Sequence, residues 1–192
     1  MEGQKLTFTY KAEDFITVIS TEEYIRRFHD PMRFMKYCKE CRNYGKVWVC
    51  PPFSDAGREE FIQLRQYAHV LLVATKIIPD GQKIPFSNVN QYFRPERLRV
   101  EKKLRDMEKM YGGRAFAYAG SCLYCPEGTC SRIDNQPCRH PDLVRHSLEA
   151  YGFDIGRTTS ELFGIELLWS KDNFLPEYLT LVCGFFHNTP IK

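Results

Sequence analysis

Several features that would classify the chain quickly are missing from it. It contains no G-x-G-x-x-G, no G-x-x-x-x-G-K-[ST], no G-x-S-x-G and no H-E-x-x-H, which removes the usual dinucleotide, P-loop, α/β-hydrolase and zinc-protease signatures. Its longest apolar run, Val70 to Ala74, falls far short of the roughly 20 residues that span a bilayer. The opening Met1-Glu2-Gly3-Gln4-Lys5 is polar and lacks the apolar segment of a signal peptide. A cytoplasmic setting with no membrane partner is therefore expected. Charge of either sign is scarcely in excess: the formal net charge is +3, too weak to point to nucleic acid. No linker-like stretch interrupts the 192 residues, and one domain over 1–192 is expected. With 43% hydrophobic residues that domain can bury an ordinary core, so metal need not be its only source of stability.

What the chain does have is cysteine, eight in all. Cytoplasmic thiols stay reduced, so clustered cysteines read as metal ligands before disulfides. Four fall in one loop as Cys122-x2-Cys125-x4-Cys130-x7-Cys138, enough to close a tetrahedral site. Structural zinc usually takes two short knuckles, and only the first pair here has that spacing. Gly120, Ser121 and Gly128 are small enough for backbone N–H groups to approach inorganic sulfide. The loop is a looser version of the bacterial ferredoxin run. These four cysteines are expected to bind a [4Fe–4S] cluster, with zinc as the alternative.

A second group, Cys38-x2-Cys41-x8-Cys50-Pro51-Pro52, has three thiols and is expected to hold a second metal or cluster. Its fourth ligand is open among Cys183, His29, His69, water and substrate. Cys183 lies in the apolar run Leu179-Thr180-Leu181-Val182-Cys183-Gly184 and reads more simply as a small buried hydrophobe. An open fourth position would make this a reactive site. Arg33, Lys36, Lys39, Arg42 and Lys46 flank the first group, and Arg132, Arg139, His140 and Arg145 the second. They fit charge compensation of thiolates, or docking of an anionic substrate or acidic redox partner. For Lys36 and Lys39 a solvated helix face is the simpler reading. Tyr44, Trp48 and Tyr124 suit either shielding of a cluster or plain core. His146, Glu149 and Asp154 read as surface hydrogen-bonding groups rather than an acid–base set.

Periodicity gives the expected frame. Residues 6–10 and 15–19 read as short strands, followed by a capping box at Ser20 and Glu23. Helices are expected before Pro31, from Met32 to Tyr37 and over about 57–67. His69–Ile78 reads as a central strand buried on both faces. Pro95 suits the first turn of a long helix whose stripe is Val100, Leu104, Met107 and Tyr111, with Glu101 and Arg105 paired on the outside. Arg114–Ala119 reads as the next strand, with Phe116 and Tyr118 on one face. A helix from Pro141 to about Ala150 capped by Gly152, a short turn at Thr159 or Ser160, and a hairpin of 164–169 with 178–186 complete the chain. The class is α/β (α+β mixed): a mixed sheet with a right-handed βαβ unit over 69–78, 95–111 and 114–119, flanking helices and cysteine-rich metal loops.

Three pieces carry a resemblance. They are Cys38-x2-Cys41-x2-Tyr44-Gly45-Lys46-x-Trp48-x-Cys50-Pro51-Pro52; Ala119-Gly120-Ser121-Cys122-x2-Cys125-x4-Cys130; and Pro137-Cys138-Arg139-His140-Pro141 with Arg145-x-Ser147-x-Glu149-Ala150-x-Gly152-x-Asp154. Together, over roughly residues 30–185, the chain resembles the family of uncharacterised cysteine-rich predicted metal-binding proteins that share a domain of unknown function. The resemblance implies metal binding and leaves the metal and the biochemical role open. The expected role is electron transfer or redox support of a partner enzyme. The alternatives are an enzyme with an open metal site at the three-cysteine group, or a zinc-stabilised binding module.

Overall fold

The computed structural model describes residues 8–53, 59, 61–118, 120 and 122–191. Four strands form one sheet: β1 (Tyr10–Ser20), β2 (His69–Pro79), β3 (Arg114–Phe116) and β4 (Leu179–His187). Their order is β1-β2-β4-β3, and every ladder is antiparallel. The helices whose bounds lie among the described residues are α1 (Thr21–Phe28), α2 (Pro31–Glu40), α3 (Val89–Tyr111) and α4 (Ile155–Phe163).

The apolar run of β2 is explained by two cores, one on each face. Val70, Leu72 and Ala74 pack with Tyr24 and Phe28 of α1, Phe153 and Ile155 on one side. Leu71 and Val73 pack with Val100 and Leu104 of α3 on the other. β4 alternates in the same way, with Val182 and Phe186 facing the first core and Leu181, Cys183 and Phe185 the second. A strand covered on both faces has no position left for a polar alternation.

The mixed α/β class is as read, and several details differ. The expected βαβ unit is split. α3 does carry the chain from β2 to β3, but β4 lies between them, so the two run parallel without pairing. The expected mixed sheet is thus an antiparallel one, with an isolated parallel bridge between Ala117 and Ser147 among the described residues. The 164–169 hairpin arm forms no strand, because β2 and β3 occupy both edges of β4. The two expected N-terminal strands are one, Tyr10–Ser20, while residues 6 and 7 lie outside the described residues.

Local rules account for most helix ends. The Ser20 hydroxyl accepts the Glu23 N–H at 3.2 Å and starts α1. Asp30 does the same for α2, where Pro31 occupies the first helical turn. α3 starts earlier than expected, from the 3-10 turn Phe86–Asn88, which leaves Pro95 inside the helix. Residues 61–63 are helical and run into a 3-10 turn at Leu64–Gln66; the start of that expected helix lies outside the described residues. The expected helix after Pro141 does not form. Its backbone is taken by β3's extension, where Ala117 N–H donates to His146 O at 2.8 Å, and only a 3-10 turn at Glu149–Tyr151 follows. α4 begins at Ile155, capped by Asp154, while the hydroxyls of Thr159 and Ser160 bond back to carbonyls of their own helix. No helix among the described residues is long and apolar enough to cross a membrane.

Candidate metal centre

The main cysteine loop leaves the sheet from its edge strand, not from a central one. After β3 the chain twists, so that Phe116 enters the first core and Tyr118 the second rather than sharing a face. Ala119 and Ser121 lie outside the described residues. From Cys122 onward the loop is closed by its own polar groups. Ile133 N–H meets Cys130 O at 3.1 Å, Gln136 N–H meets Ser131 O at 2.9 Å, and the Ser131 hydroxyl donates to Pro137 O at 2.7 Å. Arg139 donates to Thr129 O across the loop. Gly128 takes φ +76, a turn that a side chain would strain.

All seven clustered cysteines are free thiols; Cys41 is exposed and the other six are half-buried. The Cys122 thiol is pushed up by burial and held down by a hydrogen bond from the Tyr124 backbone, and it feels Cys125, Cys138 and Cys130. Cys138 Sγ accepts the His140 N–H at 3.4 Å. Burial also raises Cys38, and raises Cys50 to about 11, with Cys41, Cys38 and Cys122 adding repulsion and Arg132 opposing it. Cys50 therefore senses thiols of both groups. It also lines, with Cys122, a small cavity of about 40 Å³.

The donor set suits a soft or borderline metal: thiols in one self-closed loop, two of them receiving backbone N–H bonds. Among the described residues, however, no three Cys, His, Asp or Glu side chains converge to ligating distance.

Arg132 joins the two groups. Its guanidinium donates to Val47 O at 2.8 Å and to the carbonyls of Cys50 and Pro52, and it stacks on the Trp48 ring at 5.1 Å. Trp48 Nε1 returns a bond to Gln136 O at 3.0 Å. α2 carries Cys38 and ends at Cys41, and the 149–154 segment docks it in place. Asp30 N–H reaches Gly152 O at 2.8 Å, and Arg33 pairs with Asp154 at 3.1 Å. Gly152 sits at φ +91 with Pro31 Cα only 2.6 Å from where a Cβ would be, so no other residue fits.

Sequence reasoning missed the floor beneath the main loop. Arg94, Arg97, Glu101, Arg105 and Glu108 recur along one face of α3. Glu101 is only 4% exposed, not outward. Its Oε2 accepts the Tyr124 hydroxyl at 3.2 Å and its Oε1 meets Arg97 at 3.4 Å; Arg105 donates to the same Tyr124 hydroxyl at 2.7 Å. Arg94 reaches Leu123 O at 3.5 Å, and Glu108 holds Arg145 through both carboxylate oxygens. The 3.6-residue recurrence of charge was the available signal, and it looks identical to a solvated face.

A family model described as predicted metal-binding protein (DUF2284) matches residues 20–183. The chain belongs to that family. No curated protein and no solved structure matches it. The family match spans both cysteine groups and the 145–154 motif that joins them.

The other expected participants are placed as follows. His29 is turned to Tyr151 O at 2.9 Å and stacks on Phe61, and His69 opens β2 beside His187. Cys183 is fully buried in the second core, its thiol pushed up to about 12 by burial and bonded to Tyr118. That is the environment of a small hydrophobe. Cys183→Ala is expected to leave metal content unchanged and to cost about 1 kcal/mol in denaturant unfolding; loss of metal in that variant would contradict this placement. Asp154 and His146 have structural partners, Arg33 and the Tyr151 hydroxyl. Glu149 is different: burial pushes it up to about 7, and its Oε2 is buried without a hydrogen-bond partner.

Proposed function

We propose that the protein is an iron–sulfur protein serving electron transfer or the redox support of a partner enzyme. In this reading Cys122, Cys125, Cys130 and Cys138 hold a [4Fe–4S] cluster, and Cys38, Cys41 and Cys50 form a second metal site. The observation that carries it is the loop's ligand chemistry. Four thiols lie in a loop without a histidine among them, and backbone N–H groups reach the sulfurs of Cys122 and Cys138. Such bonds stabilise thiolate charge and tune a cluster's potential. When bound, a cluster would supply reversible one-electron transfer. The chain's own contribution is to hold the loop closed through Ser131 and Arg139 and to seat it on the Glu101–Tyr124–Arg105 network. Arg132 neutralises charge beside Cys50, so a cation sits between two thiolate groups that would otherwise repel.

The test compares two variants, purified without air. Cys125→Ser is expected to lose iron and acid-labile sulfide together with the visible absorption that dithionite bleaches. Cys50→Ser is expected to keep that sulfide and lose only the metal of the first group. Equal loss of both in Cys50→Ser contradicts two separate sites and indicates one shared unit.

A second reading, an enzyme with an open coordination position at the three-cysteine group, is favoured by one observation: Cys38 and Cys41 line a cavity of about 930 Å³. The zinc-stabilised binding module is favoured by none. Of the flanking cations, Arg33, Arg42, Arg132, Arg139 and Arg145 are each paired with a partner within the protein.

A further inference from the structure

The cavity beside the three-cysteine group has a chemistry of its own. It lies between α2, the 149–154 segment, α4 and residues 166–169. At about 930 Å³ it falls within the size range of small-molecule sites. Aromatic rings supply much of its wall. Phe34 and Tyr37 of α2 pack edge-to-face at 5.8 Å, and Trp169 is 81% exposed.

The charges on the wall are not balanced toward the cavity. Arg33 is taken by Asp154 at 3.1 Å, and Arg157 by Glu161 and Arg27 O, both at 2.8 Å. Asp154 is further used to cap α4. What is left over on the wall is the exposed Glu166 and, above all, Glu149: the Ser147 side chain and a backbone N–H bond its carboxylate and Arg97 lies near enough to act on it, but its Oε2 is buried without a partner. A buried carboxylate oxygen left unbonded is costly unless something supplies the missing donor. Glu149 also borders two apolar cavities of about 310 Å³ each. Only the larger one carries Cys38, whose thiol feels the Glu149 charge.

We propose that this cavity binds a small organic cation, an amine carried on a flat apolar body, with Glu149 receiving the amine and Trp169, Phe34 and Tyr37 holding the body next to Cys38 and Cys41. A carboxylate that meets an ammonium makes a charge-assisted bond, and aromatic faces add cation–π attraction. The inference goes beyond the metal reading and does not depend on which metal the cysteines hold.

The test titrates three probes of one shape, 2-phenylethylamine, 2-phenylethanol and phenylacetate, into the full chain purified without air, followed by calorimetry. The amine is expected to bind about tenfold tighter than the alcohol, with the acid weakest. Glu149→Gln keeps the side-chain shape; it is expected to lower amine affinity about tenfold and leave the alcohol unchanged. Trp169→Ala, at an exposed position, is expected to weaken amine and alcohol alike. Phenylacetate binding tightest would overturn the proposal, because the arginines would then set selectivity. Unchanged amine affinity in Glu149→Gln, or no binding of any probe at millimolar concentration, would overturn it as well. Metal content of Glu149→Gln is measured in parallel and is expected to match the parent; its loss would make Glu149 a metal ligand instead and overturn the proposal. Amine binding that survives alongside a failed sulfide assay would sink the cluster reading and leave this one standing.

Discussion

Arg132→Ala is expected to separate the two cysteine segments. The guanidinium donates to Val47 O at 2.8 Å and to the Cys50 and Pro52 carbonyls, and stacks on Trp48 at 5.1 Å. No other described side chain bridges these segments at so many points. A hydrogen bond from a charged donor contributes roughly 1.5–3 kcal/mol, and such bonds on one group are not additive. Because Arg132 is half-buried, a loss of about 3 kcal/mol is expected, which lowers Tm by roughly 6–12 °C for a chain of this size. Function should suffer more selectively. The 47–52 turn loses its tie to the main loop, so metal at Cys38, Cys41 and Cys50 is expected to fall while sulfide at the main loop is retained. Arg132→Lys should rescue little, since an ammonium cannot reproduce the planar fork that spans three carbonyls. A thermal midpoint within 2 °C of the parent, by roughly the same scale, would show that the clamp contributes nothing.

The second large effect is expected at Arg145. This residue and Glu108 have side chains only 14% and 12% exposed, and Arg145 Nε lies 3.0 and 2.9 Å from the two Glu108 oxygens. Glu108 Oε1 also accepts Ala115 N–H at 2.7 Å, which fixes the start of β3 to the end of α3. Arg145→Ala leaves a carboxylate enclosed without its counter-charge, and breaking such a pair costs about 3–5 kcal/mol. Adding Glu108→Gln should recover part of that loss, since the amide removes the charge and keeps an acceptor for Ala115. Urea unfolding of the two variants checks this. If the single variant loses under 1 kcal/mol, or the double variant is the worse of the two, the pair is not the buried anchor its geometry indicates.

Local signals were legible in the sequence where local chemistry decides. The Ser20 capping box and the stop before Pro31 stand where short-range rules put them. β2 was legible because a run buried on both faces leaves no polar alternation. The failures share a cause, which is competition from distant segments. β4 inserts between β2 and β3, and nothing within 69–119 announces it. Pro141 looks like a helix start, but Ser147 is claimed by Ala117. Glu101 and Arg105 look solvated, and become internal because the cysteine loop lies over them with Tyr124 between. Glu149 shows the same limit. It opens the 3-10 turn Glu149–Tyr151, against which α2 packs, and Arg97 of α3 acts on its carboxylate; neither neighbour is visible at position 149 alone.

The cysteine spacing gave two groups, and the fold brings them into one neighbourhood. Cys50 and Cys122 face one small cavity, and Arg132 and Trp48 lace the loops together. The 145–154 motif acquires a physical role in this setting. Arg145 anchors to α3, Gly152 admits Pro31 at close range, and Asp154 holds Arg33. Together they fix the first group relative to the second.

The most direct measurement is iron, zinc and acid-labile sulfide content of the full chain, purified without exposure to air. A [4Fe–4S] cluster at Cys122, Cys125, Cys130 and Cys138 predicts a brown protein with about four iron and four sulfide per chain at that site, and further metal at the first group. A colourless protein with stoichiometric zinc and no sulfide would contradict it.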